Sequence, residues 1–401
     1  MAALISIDEA RRRVLDAVPR LDAEDVPLDD ALGRVLAEDV SSAIPVPPFD
    51  SSAMDGYAVT AGPPAELKVV GESRAGHPAP VAVRGGTAVR ISTGAAVPDG
   101  ADAVVPVERT EPVRPEDATV DGVVRVPETA AGENVRYAGE DVRAGDVVLH
   151  AGTILGPAEL GVAASVGRPV LRCAVRPSAA LLVTGDELTE PGEGLRAGAI
   201  YSSNRFALAA QIERAGAELV LGENVPDTAA GTRDALARAL GAADVVILSG
   251  GVSVGPHDHV KDALAELGVE ERFWGVRLRP GKPAWFGVGE RALVYGLPGN
   301  PVSAMVTFQL FVRPALAAMQ GADPSAGRAE AVLDEAVPRN PRREEAVRVR
   351  LRPDHDGWHA TTTGEQGSHM LTSMLHADAL AFVAAGPGEI AAGERVEIEF
   401  L

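Results

Sequence analysis

The sequence predicts a multidomain α/β-plus-β protein built around a central, mostly parallel α/β sandwich. Three observations carry that prediction. The chain has 401 residues, more than one ordinary core accommodates, so two to four domains are expected. From 177 to 322 apolar strand-like runs alternate with helix-like runs, the pattern of a parallel sheet covered on both faces. On either side of that stretch the pattern shortens to β segments punctuated by glycine and proline.

In chain order, SIDEARRRVLDAVPR reads as an amphipathic helix starting near Ser6 or Asp8. LDDALGRVLAEDV reads as a second helix, with Leu28, Leu32 and Leu36 at helical spacing. The prolines of AIPVPP stop any continuation. Residues 46–145 carry short β segments (ELKVVGES, TAVRISTG, DAVVPVERT, GVVRVPE) and form an irregular β domain. A helix in GPAELGVAASVG and a strand in RPVLRCAVRP then return to the first helices. Residues 1–45 and 146–176 thereby make one discontinuous N-terminal helical/mixed domain.

Between 177 and 322 the expected strands are AALLVT, AELVLG, DVVILS and ALVYG, with FWGVRL and PAWFGVG as a hairpin or edge pair. The expected helices are SNRFALAAQIERAG, TAAGTRDALARALGAA and HVKDALAELG. Residues 323–401 revert to β pattern and are expected to form a small β-barrel-like domain. In open α/β sheets ligands bind beyond the carboxyl ends of the strands. Here those loops are TGDELTEPG, VPDT, SGGVSVGPHD and GLPGNPVS, all rich in glycine, proline, hydroxyls or acids.

The net charge of −20 and the absence of a basic stripe exclude a general nucleic-acid binder. Arginine provides all but three of the 37 basic side chains, and two of the three lysines, Lys261 and Lys282, lie near the glycine-rich loop. An anionic small molecule would therefore need locally focused cations. Cys173 is the single cysteine, so no intrachain disulfide or cysteine metal cluster forms, and its strand-like surroundings suit a buried thiol. No stretch reaches the roughly 18 apolar residues of a membrane span, and the N-terminus lacks a signal core. A cytoplasmic protein is expected.

The loop from Ser249 to Asp258 joins a buried strand to a helix and fits either an oxyanion cradle or a plain tight turn. It is neither GxGxxG nor a GK[ST] nucleotide loop. Asp258 stands where it would hold a divalent cation beside an anion. Asp186 and Glu187 suit a magnesium site or a solvated acidic turn, and Asp227 a site or a helix cap. Arg279 and Lys282, three apart in RLRPGKPAWFG, converge on an anion or form a solvated hairpin tip. Ser303 follows Pro301 in a first helical turn. Asp50 and Asp55 sit in an irregular stretch that is either functional or a linker, and Thr93 and Asp141 lie in turns of the β region. His257 and His259 are two apart, a spacing that argues against one helix face.

The segments PPFDSSAMDGYAV, STGAAVPDGADAVVPVE, GEDV, TGDEL, SGGVSVGPHD, RPGKPAWFG and GLPGNPVSAMVTF occur in that order, and QGSHMLTSMLHADALAF follows. Together they resemble the molybdopterin molybdenumtransferase family, which includes the E domain of gephyrin. The resemblance implies insertion of molybdate into adenylyl-molybdopterin with release of AMP, using Mg2+. It also implies a homodimer whose cleft lies between the α/β domain of one subunit and the β domain of the other. By the same resemblance Asp55, Thr93 and Asp141 face the partner's cleft, and Glu187, Asp227 and Lys282 join them as catalytic residues. Ser249, Gly250, Gly251, Ser253, Arg279, Pro298 and Ser303 would bind substrate, and Asp186, Glu187 and Asp258 the metal. Arg279 stands where many members carry lysine, and Ser51 and Asp378 stand where asparagine is usual. Molybdopterin adenylyltransferase and molybdoenzyme maturation proteins are implied as partners, with no nucleic acid and no membrane. A molybdopterin adenylyltransferase and a gephyrin-type scaffold are the two rival functions, disfavoured by the extra domains and by the lack of a long linker.

Overall fold

The structure is a computed structural model that describes residues 4–114, 120–251 and 259–401. Its centre is a six-stranded sheet in the order Glu218–Val225, Ser178–Thr184, Val245–Ser249, Leu293–Leu297, Trp285–Val288, Glu270–Trp274. The first four strands run parallel and the last two are antiparallel at one edge. FWGVRL and PAWFGVG thus supply the expected edge pair through Glu270–Trp274 and Trp285–Val288.

The two-residue period of a strand explains how this sheet is covered. Ala179, Leu181 and Val183 face a core built with the helix Ser203–Arg214 and the helical run 301–320. Ala180 and Leu182 face the other core, with Ala229–Ala242 and Val260–Glu266. Because the first four strands are parallel, their carboxyl ends and the loops that follow share one rim.

The run Pro301–Gln320 is long and apolar enough to cross a membrane by length and composition alone, which the sequence expectation had denied. It is instead a core helix, with 78% of its most apolar window buried. A π-helical stretch, Phe308–Val312, interrupts it just before Pro314, whose missing N–H cannot continue the ladder.

The C-terminal strands close on themselves. Glu344–Asp354 pairs with Gly357–Thr362, then come Arg328–Leu333, Arg395–Phe400 and Ala379–Val383, which pairs back to Glu344–Asp354. This five-stranded barrel matches the barrel-like expectation and removes open edges. Leu278–Arg279 pairs in parallel with Glu344–Glu345, so the proline-glycine loop after it is shared between sheet and barrel.

The region expected to be an irregular β domain holds a six-stranded sheet from Gly56–Val59 to Val123–Val126. Before it, Ala23–Pro27 pairs with Val170–Ala174, and the helix Pro157–Ser165 packs nearby. Cys173 is buried there, and burial pushes its thiol pKa up.

Two expectations for the N-terminus are corrected. LDDALGRVLAEDV is not a helix: only a single 3-10 turn, Leu28–Asp30, forms. Gly33 has φ of +72°, left-handed backbone that ends the turn. The amides of Gly33 and Leu36 then donate to Leu155 and Thr153 carbonyls at 2.8 and 2.9 Å. Leu36 is consequently buried while Leu32 is 59% exposed, which no single helix face allows. The first helix, Ile7–Leu15, does form, capped by the Ser6 hydroxyl accepting from the Glu9 amide at 3.2 Å. It packs against the central core and not against the strands around Cys173, since Ile7, Ala10 and Val14 join Phe311 and Leu316.

Candidate functional site

The rim of the central sheet is tied together by one side chain. Asn204, in the first turn of Ser203–Arg214, donates through Nδ2 to Ser249 Oγ and to the Gly299 carbonyl, both at 2.8 Å. Ser249 Oγ lies 3.4 Å from the Pro298 carbonyl and donates to it. Two neighbouring strands' loops and a helix start are thereby locked into one surface. Gly250 follows with φ of +91°, and a Cβ there would lie 2.7 Å from the Thr184 carbonyl, so the turn requires glycine. Gly251 continues it at φ +64°. Ser253, His257 and Asp258 lie outside the described residues.

A cavity of about 400 Å3 opens at this rim, lined by Thr184, Glu187, Tyr201, Asn204, Ser249 and Pro298 among others. Glu187 and Asp186 are exposed. Asp186 Oδ1 accepts from the Asp227 amide at 3.3 Å, so the two acidic loops touch as their shared rim requires. Among the described residues neither Asp186 nor Glu187 enters an ion pair with lysine or arginine. Arg196 donates instead to the Asp186 main-chain carbonyl, so the two carboxylates carry no cation of their own among the described residues, and a hard cation prefers such ligands.

A second cavity, of about 380 Å3, adjoins the first. It collects Arg279, Lys282, Ser303, Arg343, Ser368 and His369. Pro283 lines both cavities. Asn300, on the wall of the first, donates to Ser368 Oγ of the second at 3.0 Å. Arg279 is half-exposed and pairs with the nearly buried Glu345 at 2.7 Å. Its guanidinium is thus held by the barrel strand that Leu278–Arg279 joins. The cavity keeps an excess of positive charge, because Lys282 and Arg343 have no carboxylate partner among the described residues.

Behind this cavity Arg348 is completely buried. Its Nη2 donates to the carbonyls of Glu365 and Gly367 at 3.2 and 3.3 Å, which shapes the loop carrying Ser368. Burial, and then repulsion from Arg279, push its pKa down to about 10, so it stays charged at neutral pH.

The residues expected from the β region form a separate group. Asp55 Oδ1 accepts from the amide of Thr93 at 2.6 Å and from its hydroxyl at 2.9 Å. Those two bonds hold the Asp55 carboxyl below the usual carboxylate range. Asp141 is exposed, and its amide donates to the Val46 carbonyl at 3.1 Å. Asp50 Oδ1 accepts from the Ala138 amide at 2.8 Å and joins the two loops. None of Asp55, Thr93 and Asp141 lines either rim cavity. Ser51 is buried in a short strand pair with Val135–Arg136, and Asp378 Oδ2 accepts from the Leu351 amide at 2.8 Å.

Asn204, Arg343, Arg348, Ser368 and His369 were not singled out by the sequence. Asn204 looked like an ordinary first-turn residue of a helix. The other four come from the barrel, and only QGSH, within a segment of the family resemblance, signalled that part of the site.

Comparison with known proteins gives the same picture along the chain. Residues 5–167 match the family model described as MoeA N-terminal region (domain I and II). Residues 180–318 match the probable molybdopterin binding domain, and 330–401 the MoeA C-terminal region (domain IV). The molybdopterin molybdenumtransferase of Haemophilus influenzae is 37% identical, over 99% of this chain and 98% of its own length. Molybdopterin molybdenumtransferase 2 of Mycobacterium tuberculosis is 38% identical over 98% of both. Gephyrin of Dictyostelium discoideum is 30% identical over 98% of this chain but 61% of its own length. The crystal structure of the molybdopterin biosynthesis MoeA protein from Pyrococcus horikoshii superposes with a TM-score of 0.83 at 31% identity, covering both chains completely. Near-complete coverage at this identity, on the same multidomain fold, places the chain in the molybdopterin molybdenumtransferase family, the MoeA-like enzymes of molybdenum cofactor biosynthesis.

Proposed function

We propose that this enzyme inserts molybdate into adenylyl-molybdopterin, releasing AMP and forming molybdenum cofactor, in a cleft that a second copy of the chain completes. The observation that carries this reading is the pair of adjoining rim cavities bridged by Asn300 and Ser368. One offers cations and hydroxyls to a tetrahedral dianion, and the other offers hydroxyls and a glycine turn to a phosphorylated ligand.

In this reading Arg279, Lys282 and Ser303 hold molybdate, with Arg343 and Ser368 beside them. Arginine at 279 brings a planar fork where a lysine would bring a point charge. Ser249, Gly250, Gly251, Ser253 and Pro298 hold the phosphate end of the substrate. Asp186 and Glu187, whose carboxylates pair with no lysine or arginine among the described residues, would hold Mg2+ together with Asp258. Bound there, Mg2+ would neutralise charge on the substrate's phosphates. Catalysis is then mostly positioning and charge stabilisation, since molybdate and phosphoanhydride repel each other and the chain carries −20 overall.

Asp55, Thr93 and Asp141, with Asp227 beside Asp186, complete the catalytic set. The first three line neither rim cavity of their own chain, which supports a homodimer in which they enter the partner's cleft. The same reading divides the chain into 1–45 with 146–176, 46–145, 177–322 and 323–401. It places the enzyme in the cytoplasm, receiving substrate from a molybdopterin adenylyltransferase and serving molybdoenzyme maturation.

Molybdate-dependent release of AMP from adenylyl-molybdopterin tests the proposal. Release that depends on both molybdate and Mg2+ is expected. Adenylylation of molybdopterin from ATP by this chain alone would overturn it.

A further inference from the structure

The first rim cavity is lined by the hydroxyl residues Thr184, Ser202, Ser203 and Ser249, and also by Leu188, Ile200 and Tyr201. Ile200 is 55% exposed and Tyr201 43% exposed, a large apolar and aromatic surface facing open space beside a cluster of hydroxyls. Apolar groups left bare at a cavity mouth lose the benefit of burial unless a ligand covers them.

The tyrosine is also held in place. Ile200–Tyr201 pairs in parallel with Leu188–Thr189, and the Ser202 amide donates to the Thr189 carbonyl at 3.0 Å. At its far end the Tyr201 hydroxyl donates to the Glu193 carbonyl at 3.0 Å. A ring anchored by backbone pairing at one end and a hydrogen bond at the other spends little entropy on binding and keeps its orientation. The next residues, Ser202 to Asn204, turn straight into the helix whose Asn204 organises Ser249 and Gly299. Ring and phosphate-binding turn therefore belong to one rigid unit.

We infer that Tyr201, flanked by Ile200 and Leu188, is a stacking platform for a planar heteroaromatic bicycle of the substrate whose phosphate lies against Ser249–Gly251. The inference rests on the function proposed above. That substrate carries two such bicycles, a pterin and an adenine, and the shared chemistry is a flat, nitrogen-rich π face. Tyr201 sets affinity and selectivity for the ring and takes no part in proton or group transfer.

The test uses the full chain and three variants, Tyr201→Phe, Tyr201→Leu and Ile200→Ser. Binding of AMP and of unadenylylated molybdopterin is titrated separately by calorimetry, and KM and kcat are measured for adenylyl-molybdopterin. Tyr201→Phe keeps the ring and should bind within about threefold of wild type. Tyr201→Leu keeps apolar bulk without the π face and should raise KM by roughly tenfold with kcat nearly unchanged. Ile200→Ser should weaken binding in the same direction. Loss confined to AMP assigns the platform to adenine, and loss confined to molybdopterin assigns it to the pterin. A Tyr201→Leu protein with wild-type melting temperature that binds both probes and substrate as tightly as wild type overturns the inference. Wild-type protein that binds a probe in a Tyr201-dependent way yet releases no AMP would sink the functional reading and leave the platform standing.

Discussion

Arg11 and Glu399 are 388 positions apart and form a buried ion pair. Glu399 is fully buried and also accepts from Arg313 and Gln309, each at 3.1 Å. The first helix, the core helix and the last barrel strand therefore share one carboxylate. Arg11 also lies over the Phe382 ring, 5.3 Å from its centroid.

Removing that carboxylate leaves Arg11 and Arg313 with no acid between them, and leaves Arg328, 3.7 Å away, with Glu397 alone. Glu399→Ala should lower unfolding stability by about 3–5 kcal/mol, the usual consequence of breaking a buried pair on one side. Denaturant titration measures it, and amide exchange should accelerate first in Ile7–Leu15. A loss below about 1 kcal/mol would mean the network is solvated in practice.

Lys282→Ala and Arg343→Ala remove the two cations of the second cavity that lack a carboxylate partner. Each should raise KM for molybdate by roughly tenfold while leaving KM for adenylyl-molybdopterin within about threefold. Added salt should weaken molybdate use in wild type more than in either variant, because screening acts on charges that are still present. Equal effects on both substrates would disprove separate roles for the two cavities.

The shared cleft predicts complementation. Asp55→Asn and Glu187→Gln should each be nearly inactive, since each spoils every cleft of its homodimer. Unfolded and refolded together, about half the dimers would be mixed, each with one intact cleft, restoring roughly a quarter of wild-type activity. No recovery in a mixture that demonstrably exchanges subunits would put the whole site within one chain.

His359 predicts a pH dependence of stability. Its Nδ1 meets Asp334 at 2.7 Å and its Nε2 meets Asp356 at 2.8 Å. Arg352 also approaches Asp334 at 3.7 Å, and the Thr361 hydroxyl donates to it at 3.2 Å. Asp334 first, then Asp356, raises the His359 pKa above its ordinary value of 6.5. The folded pKa exceeds the unfolded one, so this stabilisation is complete below the unfolded value and is lost as pH rises through the folded one. Melting temperature should fall across that window in wild type and not in His359→Gln. Proton NMR should place the His359 midpoint above 6.5; a midpoint below it would refute the clamp.

Much of the architecture was legible locally. Val245–Leu248 is a run of buried apolar residues, Ala229–Ala242 follows a polar helix start, and Pro301 opens a helix, each stated by residues within a few positions, although the cap of Ala229–Ala242 is the Thr228 hydroxyl and not Asp227. The acidic, hydroxyl-bearing and glycine-rich loops after the parallel strands had to share a rim, because parallel strands end on one edge. Leu28, Leu32 and Leu36 misled for the same local reason. Their spacing is helical, but Gly33 breaks the helix and residues near 153–155 capture the backbone.

Composition, periodicity and turn chemistry thus pointed to the sheet, its covering helices, every barrel strand but Arg328–Leu333, and the loops of Ser249, Glu187 and Lys282. Tertiary structure alone decided that Asn204 knits Ser249 to Gly299, that Glu345 from the barrel holds Arg279, and that Ser368 meets Asn300 between the two cavities. The physical reason is range. A helix cap or strand alternation is an interaction between near neighbours and is written in consecutive residues. A hydrogen bond spanning 68 positions, such as Asn300 to Ser368, exists only once the barrel has closed and docked beside the sheet.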